Sequence, residues 1–273
     1  MGHNAGLLPW PRPMRTVTVT RYVTPLREGG SLPAVVEADD DGLYVLKFRG
    51  AGQGRRALVA ELLAGEIARA LGLPMPELVR AELDPELART EPDPEIQDLI
   101  RASGGLNLAM DYLPGAVTFD PLTHPVDAEL ASALVWFDAY VSNMDRTARN
   151  ANLLVWHRKL WLIDHGAALY FHHDWDALDE ATVRERARKS FPMVKDHVLL
   201  SRATALQAAD TRLAARLTDE VIAGIVALVP DEWLEPTPAL PDPRQAYRSY
   251  LSQRLLAPRA FVEEALRARS VPL

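Results

Sequence analysis

Over residues 16–23 (TVTVTRYV) β-branched and polar side chains alternate, and this period of two predicts a strand. The next stretch, LREGGSLPAVVEADDDGLYVLKF, has two apolar β-rich runs flanking an ADDDG turn, so it predicts a hairpin with Gly29 and Gly30 just before its first strand. From 55 to 71 the apolar positions shift to helical spacing, and Gly72 and Pro74 supply the stop. A strand over 77–83, a short polar helix over 93–103 and a strand over 105–113 complete a first part made of a mostly antiparallel sheet and one main helix. Beyond Pro114 the pattern changes. Residues 127–142 form an apolar helix. Two short β-runs follow, NLLVW and LWLID, with HRK as the turn between them and Asp164 ending the second. The remainder reads as helical over about 178–190, 199–229 and 243–269. Prolines cluster at 9–13, 114–125 and 230–243, which marks the seams. The expected organisation is an N-terminal arm (1–15), a β-rich lobe (16–113) and a helical lobe (114–273).

Composition narrows this picture. A length of 273 residues with 48% hydrophobic content suits two lobes sharing a cleft. There is no cysteine, which excludes disulfides and thiolate metal sites and points to a reducing cytoplasm. The net charge of −7 argues against nucleic acid or an anionic membrane as the main partner, while leaving room for a local positive pocket for a nucleotide. No apolar run reaches the roughly 18 residues a spanning helix needs. In MGHNAGLLPWPRPMR the apolar patch precedes the arginines, the reverse of a secretory signal, so the segment reads as a loose arm.

The chemistry concentrates in NMDRTARNANLLVWHRKLWLIDHG. Asp145 follows a helix and opens a loop, Asn150 comes five residues later just before a strand, and Asp164 closes the second strand. Phosphoryl transfer calls for such a set: one carboxylate to take or orient the proton of the attacking hydroxyl, and an amide oxygen and a second carboxylate to hold magnesium against the phosphates. Gly166 would allow a sharp turn after the metal ligand. Taken singly, each of these residues is an ordinary loop or cap residue; order and spacing together carry the reading. Lys47 lies mid-strand on the face shared with Val45, and the following helix offers Glu61, and Glu66 beyond it, as a partner that would hold the ammonium over the α- and β-phosphates. Its ordinary reading is a surface lysine. Gly29 and Gly30 suit a phosphate cradle or a plain turn. His172, His173 and Asp174 have no further ligand spacing beside them and read as a solvated loop rather than a metal site. No G-x-S-x-G, H-E-x-x-H or G-x-G-x-x-G is present.

These segments together, from GGSLPAVVEADDDGLYVLKF through Glu61 and ARALGLPMPE to NMDRTARNANLLVW and LWLIDHG, resemble the HipA-like kinases, and among them the short stand-alone bacterial HipA-type kinase domains. The resemblance spans roughly residues 24–235. It implies a protein-kinase-like α+β fold with a β-rich N-lobe and a mainly helical C-lobe, and a cytoplasmic ATP- and Mg2+-dependent kinase. By that resemblance Asp145 is the base and Asn150 and Asp164 bind magnesium. Lys47 holds the phosphates with Glu61 as its partner, and Gly29, Gly30 and Ser31 cover them. Met110, Asp111, Tyr112 and Leu113 meet the adenine, and Arg149 reaches the γ-phosphate. HipA toxins are longer by an N-terminal region, His165 stands where D-F-G kinases have Phe, and no A-P-E is present. The implied acceptor is a serine or threonine hydroxyl of a protein. A small-molecule kinase and a nucleotide-binding scaffold use the same cleft, and an open groove beside Asp145 favours the protein acceptor over a lidded pocket.

Overall fold

The computed structural model describes residues 13–26, 32–52 and 54–270. The first half is built on five strands and two helices in the order β1 (Thr16–Pro25), β2 (Ala34–Ala38), β3 (Leu43–Lys47), α1 (Gly54–Ala70), β4 (Leu78–Leu83), α2 (Pro94–Ala102) and β5 (Gly105–Asp111). The mostly antiparallel sheet that the pattern predicts is closed into a barrel, β1-β2-β3-β5-β4, which the pattern does not specify. The closure comes from β1: its start pairs parallel with β4 (Val17 opposite Ala81) and its end antiparallel with β2. Register shifts between Val19 and Arg21 and between Tyr22 and Thr24 bend this ten-residue strand around the corner. Val17, Val36, Leu46, Val79 and Ala109 fill the barrel, and Ile96 and Ile100 of α2 join the same cluster.

α1 has a different role. Leu58, Leu62, Leu63 and Ile67 are buried on it, and they belong to one core with Leu134 and Phe137 of the second half, so this helix joins the two lobes. It approaches β4 closely at Gly65, where an added Cβ would stand 2.6 Å from Leu78 Cδ1.

The second half contains β6 (Val117–Thr118), α3 (Ala128–Val141), β7 (Leu153–Trp156), β8 (Lys159–Leu162), α4 (Glu180–Ala187), α5 (Leu206–Ala214), α6 (Asp219–Ala227), α7 (Pro243–Leu255) and α8 (Ala260–Ser270). The two-lobed α+β expectation holds, and the helical run over 199–229 resolves into a short turn, α5 and α6, the last capped by Thr218 accepting from Val221 N–H. The two-residue β6, too short for any periodic signal, adds a third strand to the β7–β8 hairpin. α7 packs on the helical lobe through Arg254, buried at 2% exposure, whose guanidinium bonds the carbonyls of Ala139 and Tyr140 at the end of α3 and that of Ala187 at the end of α4. The start of the loop carrying Asp145 is thereby anchored from the far end of the chain. No helix among the described residues is long and apolar enough to cross a membrane.

Candidate active site

Lys47, the last residue of β3, reaches across to α1 and to the segment after β8. Its Nζ lies 3.0 Å from Glu61 Oε2 and 2.6 Å from Asp164 Oδ1. The Lys47 side chain is 12% exposed and that of Glu61 2%, while Asp164 stands open at 40%. The lysine is therefore no surface residue. Burial alone would lower the ammonium, but the two carboxylates outweigh it and hold Lys47 above its ordinary value. Burial likewise works to raise Glu61, and Lys47 together with the bond from His165 brings it down to about 2. Glu66 takes no part here; it pairs with Arg69 at 2.6 Å.

Asp164 lies two residues beyond the end of β8, not in the strand, with φ +54. The sharp bend falls on this aspartate, a residue type that tolerates left-handed backbone, and not on Gly166. At Gly166 an added Cβ would stand 3.7 Å from both Asp164 Oδ1 and Glu61 Oε2. His165 turns inward. Its backbone N–H donates to Glu61 Oε2 at 2.8 Å, its Nε2 lies 3.0 Å from Arg146 Nη2, and its ring packs edge-on against Phe137. A guanidinium only donates, so Nε2 accepts and the ring proton sits on Nδ1, facing Glu61 Oε1 at 3.7 Å.

The second carboxylate is set by α3. Asp138, on the buried side of that helix, accepts from Arg146 Nε at 2.6 Å and Asn143 Nδ2 at 2.8 Å and lies 3.0 Å from His197 Nε2. Burial pushes Asp138 up, but Arg146 and His197 prevail and it stays well below the ordinary carboxylate range. Asn143 in turn accepts from Asp145 N–H at 3.2 Å, which aims the half-buried Asp145 into the loop. Asn150 Nδ2 donates to Asp145 Oδ2 at 2.9 Å, and Asn152 Nδ2 to the Asp145 carbonyl at 2.6 Å.

The oxygen set of Asp164 and the loop amides consists of hard donors suited to magnesium or manganese. Among the described residues no group of three or more His, Cys, Asp or Glu is placed to hold a metal.

Two further hollows carry the other predicted residues. A hollow of about 520 Å3 is lined by Leu43, Met75, Glu77, Asp111, Tyr112 and Trp161. In the segment beside it Met110 is locked in the sheet, Asp111 N–H donates to Glu77 O and Tyr112 N–H to Leu43 O. The Leu113 N–H donates to no group among the described residues. A wider hollow of about 1160 Å3 runs beside the loop, between Arg149, Lys195, Ser201 and Arg267. Arg149 is exposed on its wall and makes no bond to Asp145.

The family model of the HipA-like kinases matches residues 19–259. The chain belongs to the HipA-like kinase family. Among solved structures this HipA-like kinase is similar to the Helicobacter pylori proinflammatory kinase CtkA, at a TM-score of 0.57 and 14% identity, covering 96% of this chain and all of that one. At that identity the likeness shows the fold. The Golgi casein kinase with Mn/ADP bound aligns at a TM-score of 0.47 and 12% identity, over 94% of this chain and 74% of the other. No curated protein sequence matches.

In this HipA-like kinase the sequence-predicted Lys47, Glu61 and Asp164 meet, as do Asp145 and Asn150. Among the described residues Arg149 and the segment 110–113 make no side-chain bond to either cluster, and Gly29, Gly30 and Ser31 lie outside the described residues. His172 is no part of a solvated loop: it is fully buried and bonds Tyr247 through Nδ1 at 3.1 Å, because the turn over 170–177 folds back against α7. Sequence reasoning missed Asp138, Arg146, His165 and His197. The available signal was an acid, Asp138, set within the apolar run of α3.

Proposed function

We propose that the chain is an ATP- and Mg2+-dependent kinase that transfers the γ-phosphoryl group to a serine or threonine hydroxyl of a protein. The observation that carries this reading is the buried Lys47 held between Glu61 and Asp164. An ammonium kept charged and aimed at an exposed carboxylate is prepared to exchange that contact for phosphate oxygens. Asp164, with an amide of the 145–152 loop (Asn150 by its spacing), would hold the metal, which when bound neutralises charge on the phosphates. Asp145, oriented by Asn143 and the loop amides, takes the proton of the acceptor hydroxyl. The free N–H of Leu113 would meet the adenine at the end of the 110–113 segment, and Gly29, Gly30 and Ser31 would cover the phosphates. Arg149 stands on the wall of the hollow beside the loop and faces the incoming acceptor and γ-phosphate. The breadth of that hollow supports a protein acceptor over a small molecule.

The test is ATP turnover and self-phosphorylation with and without Mg2+, comparing the parent chain with Asp145→Ala. Metal-dependent activity that disappears in the variant supports the reading; equal activity in the two proteins removes Asp145 from the mechanism.

A further inference from the structure

Two asparagines touch Asp145, and the geometry points to a division of labour between them: Asn152 supplies the amide oxygen for the metal, and Asn150 positions the Asp145 carboxylate. This inference rests on the phosphotransfer reading above and assigns its metal ligand differently from the spacing argument.

The first observation is place. The β7–β8 ladder pairs Leu153 with Leu162, and one step further down Ile163 N–H donates to Asn152 O at 3.1 Å. Asn152 therefore sits across the hairpin from the residue next to Asp164. Asn150 lies two residues earlier, up to about 7 Å further along an extended chain. It belongs to a separate turn closed by Thr147 N–H on Asn150 O at 2.9 Å, and it is exposed.

The second is orientation. A backbone carbonyl only accepts, so the bond from Asn152 to Asp145 O fixes the NH2 of the amide on that side and turns Oδ1 the other way. No donor among the described residues reaches Asn152 Oδ1. The bond of Asn150 ends on Asp145 Oδ2 at 2.9 Å, an oxygen that Asn152 Nδ2 reaches only at 3.4 Å, so Asn150 is the closer partner of the carboxylate and Asn152 that of the carbonyl.

The third is support. Asn152 holds φ +47, and its carbonyl takes a hydrogen bond from Arg146 Nη1, itself buried and paired with Asp138. The backbone of Asn152 is thus carried by the same buried ion pair that anchors the loop, as a ligand requires if it is to meet a metal without reorganising. Among the described residues Asn150 has only the turn bond and its contact to the carboxylate it orients, together with Thr147 Oγ1 accepting from its N–H at 3.3 Å.

The experiment is titration of Mn2+ into the full chain with ADP present, read by the electron paramagnetic resonance of free Mn2+. Asn152→Gly removes the amide at a φ that glycine adopts without strain. It is expected to weaken Mn2+ binding on the order of ten- to a hundredfold, while metal-free ADP binding and the unfolding midpoint stay near the parent's. Asn152→Asp, which keeps an oxygen at that place, is expected to retain Mn2+. Asn150→Ala is expected to hold Mn2+ within about twofold of the parent and to lower kcat with the KM for ATP unchanged. Loss of Mn2+ binding in Asn150→Ala equal to or larger than that in Asn152→Gly overturns the division. A parent chain that binds ADP but no Mn2+ beside it overturns the phosphotransfer reading as well, which separates the two failures.

Discussion

Arg146 Nη2 lies 3.0 Å from His165 Nε2, so the residue after the loop carboxylate Asp145 is tied to the residue after the hairpin carboxylate Asp164. Both partners are buried, and each passes the contact on. Arg146 leans on Asp138 of α3, and His165 donates its backbone N–H to Glu61 of α1, which holds Lys47. A polar chain thus runs from the barrel strand through the joining helix to the loop that carries Asp145. Its members neutralise one another in pairs, which is the condition for keeping charge in a low-dielectric interior. The two acids proposed for chemistry stay half-open at its margin, and the residues beside them do the anchoring.

The chain predicts a large cost for removing Asp138. Asp138→Ala leaves the Arg146 guanidinium buried without its carboxylate, and breaking such a pair from one side costs on the order of 3–5 kcal/mol. Urea unfolding should show that loss, and turnover should fall with it because Asn143 and Arg146 no longer hold the loop. A variant as stable as the parent would show that Arg146 finds water or another acceptor.

Lys47→Met should have two separable effects. Nucleotide turnover should fall steeply, because the ammonium proposed to hold the phosphates is gone. Stability changes too, in a pH-dependent way. Glu61 sits at about 2 in the folded chain against an ordinary 4.5, so its contribution is fully present above pH 4.5 and is lost as pH falls toward 2. That contribution is about 3 kcal/mol. Without Lys47 most of it disappears at neutral pH, and the acid limb of the stability curve flattens. An unchanged curve would mean that the His165 N–H, not the lysine, holds Glu61 ionised.

Asp164→Asn should abolish Mg2+-dependent turnover and leave the fold intact, since the side chain is 40% exposed and an amide still accepts from Lys47. Circular dichroism and the unfolding midpoint check the second half of this expectation, and a fully active variant would remove Asp164 from the mechanism.

How much of this was legible in the sequence follows from the range of each interaction. The hairpin before Asp164, the helix bearing Glu61 and the strand bearing Lys47 announce themselves by local period and by their Gly and Pro stops, and all three elements form there, with Asp164 falling two residues past its strand. What the pattern does not contain is closure. The barrel depends on one end of β1 meeting β4 some sixty residues later, and nothing local to TVTVT specifies a parallel partner. The anchoring residues are hidden for the same reason: Asp138, Arg146, His165 and His197 acquire meaning only when α3, the loop and the segments after the hairpin come together. Asn152 illustrates the limit of spacing as an argument. Counting five residues from Asp145 selects Asn150, whereas the hydrogen bond to the Asp145 carbonyl and the place at the foot of β7 belong to Asn152.

The last expectation concerns His172, which the mechanism does not use. It is fully buried against α7, bonded through Nδ1 to Tyr247, and its Nε2 has no partner among the described residues. Burial, with smaller contributions from His173 and Arg56, lowers it to about 3 from an ordinary 6.5. The unfolded chain therefore binds a proton between pH 6.5 and 3 that the folded chain refuses. The stability is fully present above pH 6.5 and is lost as pH falls, by about 2 kcal/mol between pH 7 and 5. Glu61 begins to matter only below about 4.5, so it stays silent across this window. Urea unfolding of the parent and of His172→Gln at pH 7 and pH 5 checks it. The parent should lose stability across that interval and the variant should lose much less; equal slopes would mean that His172 takes up its proton inside the folded chain.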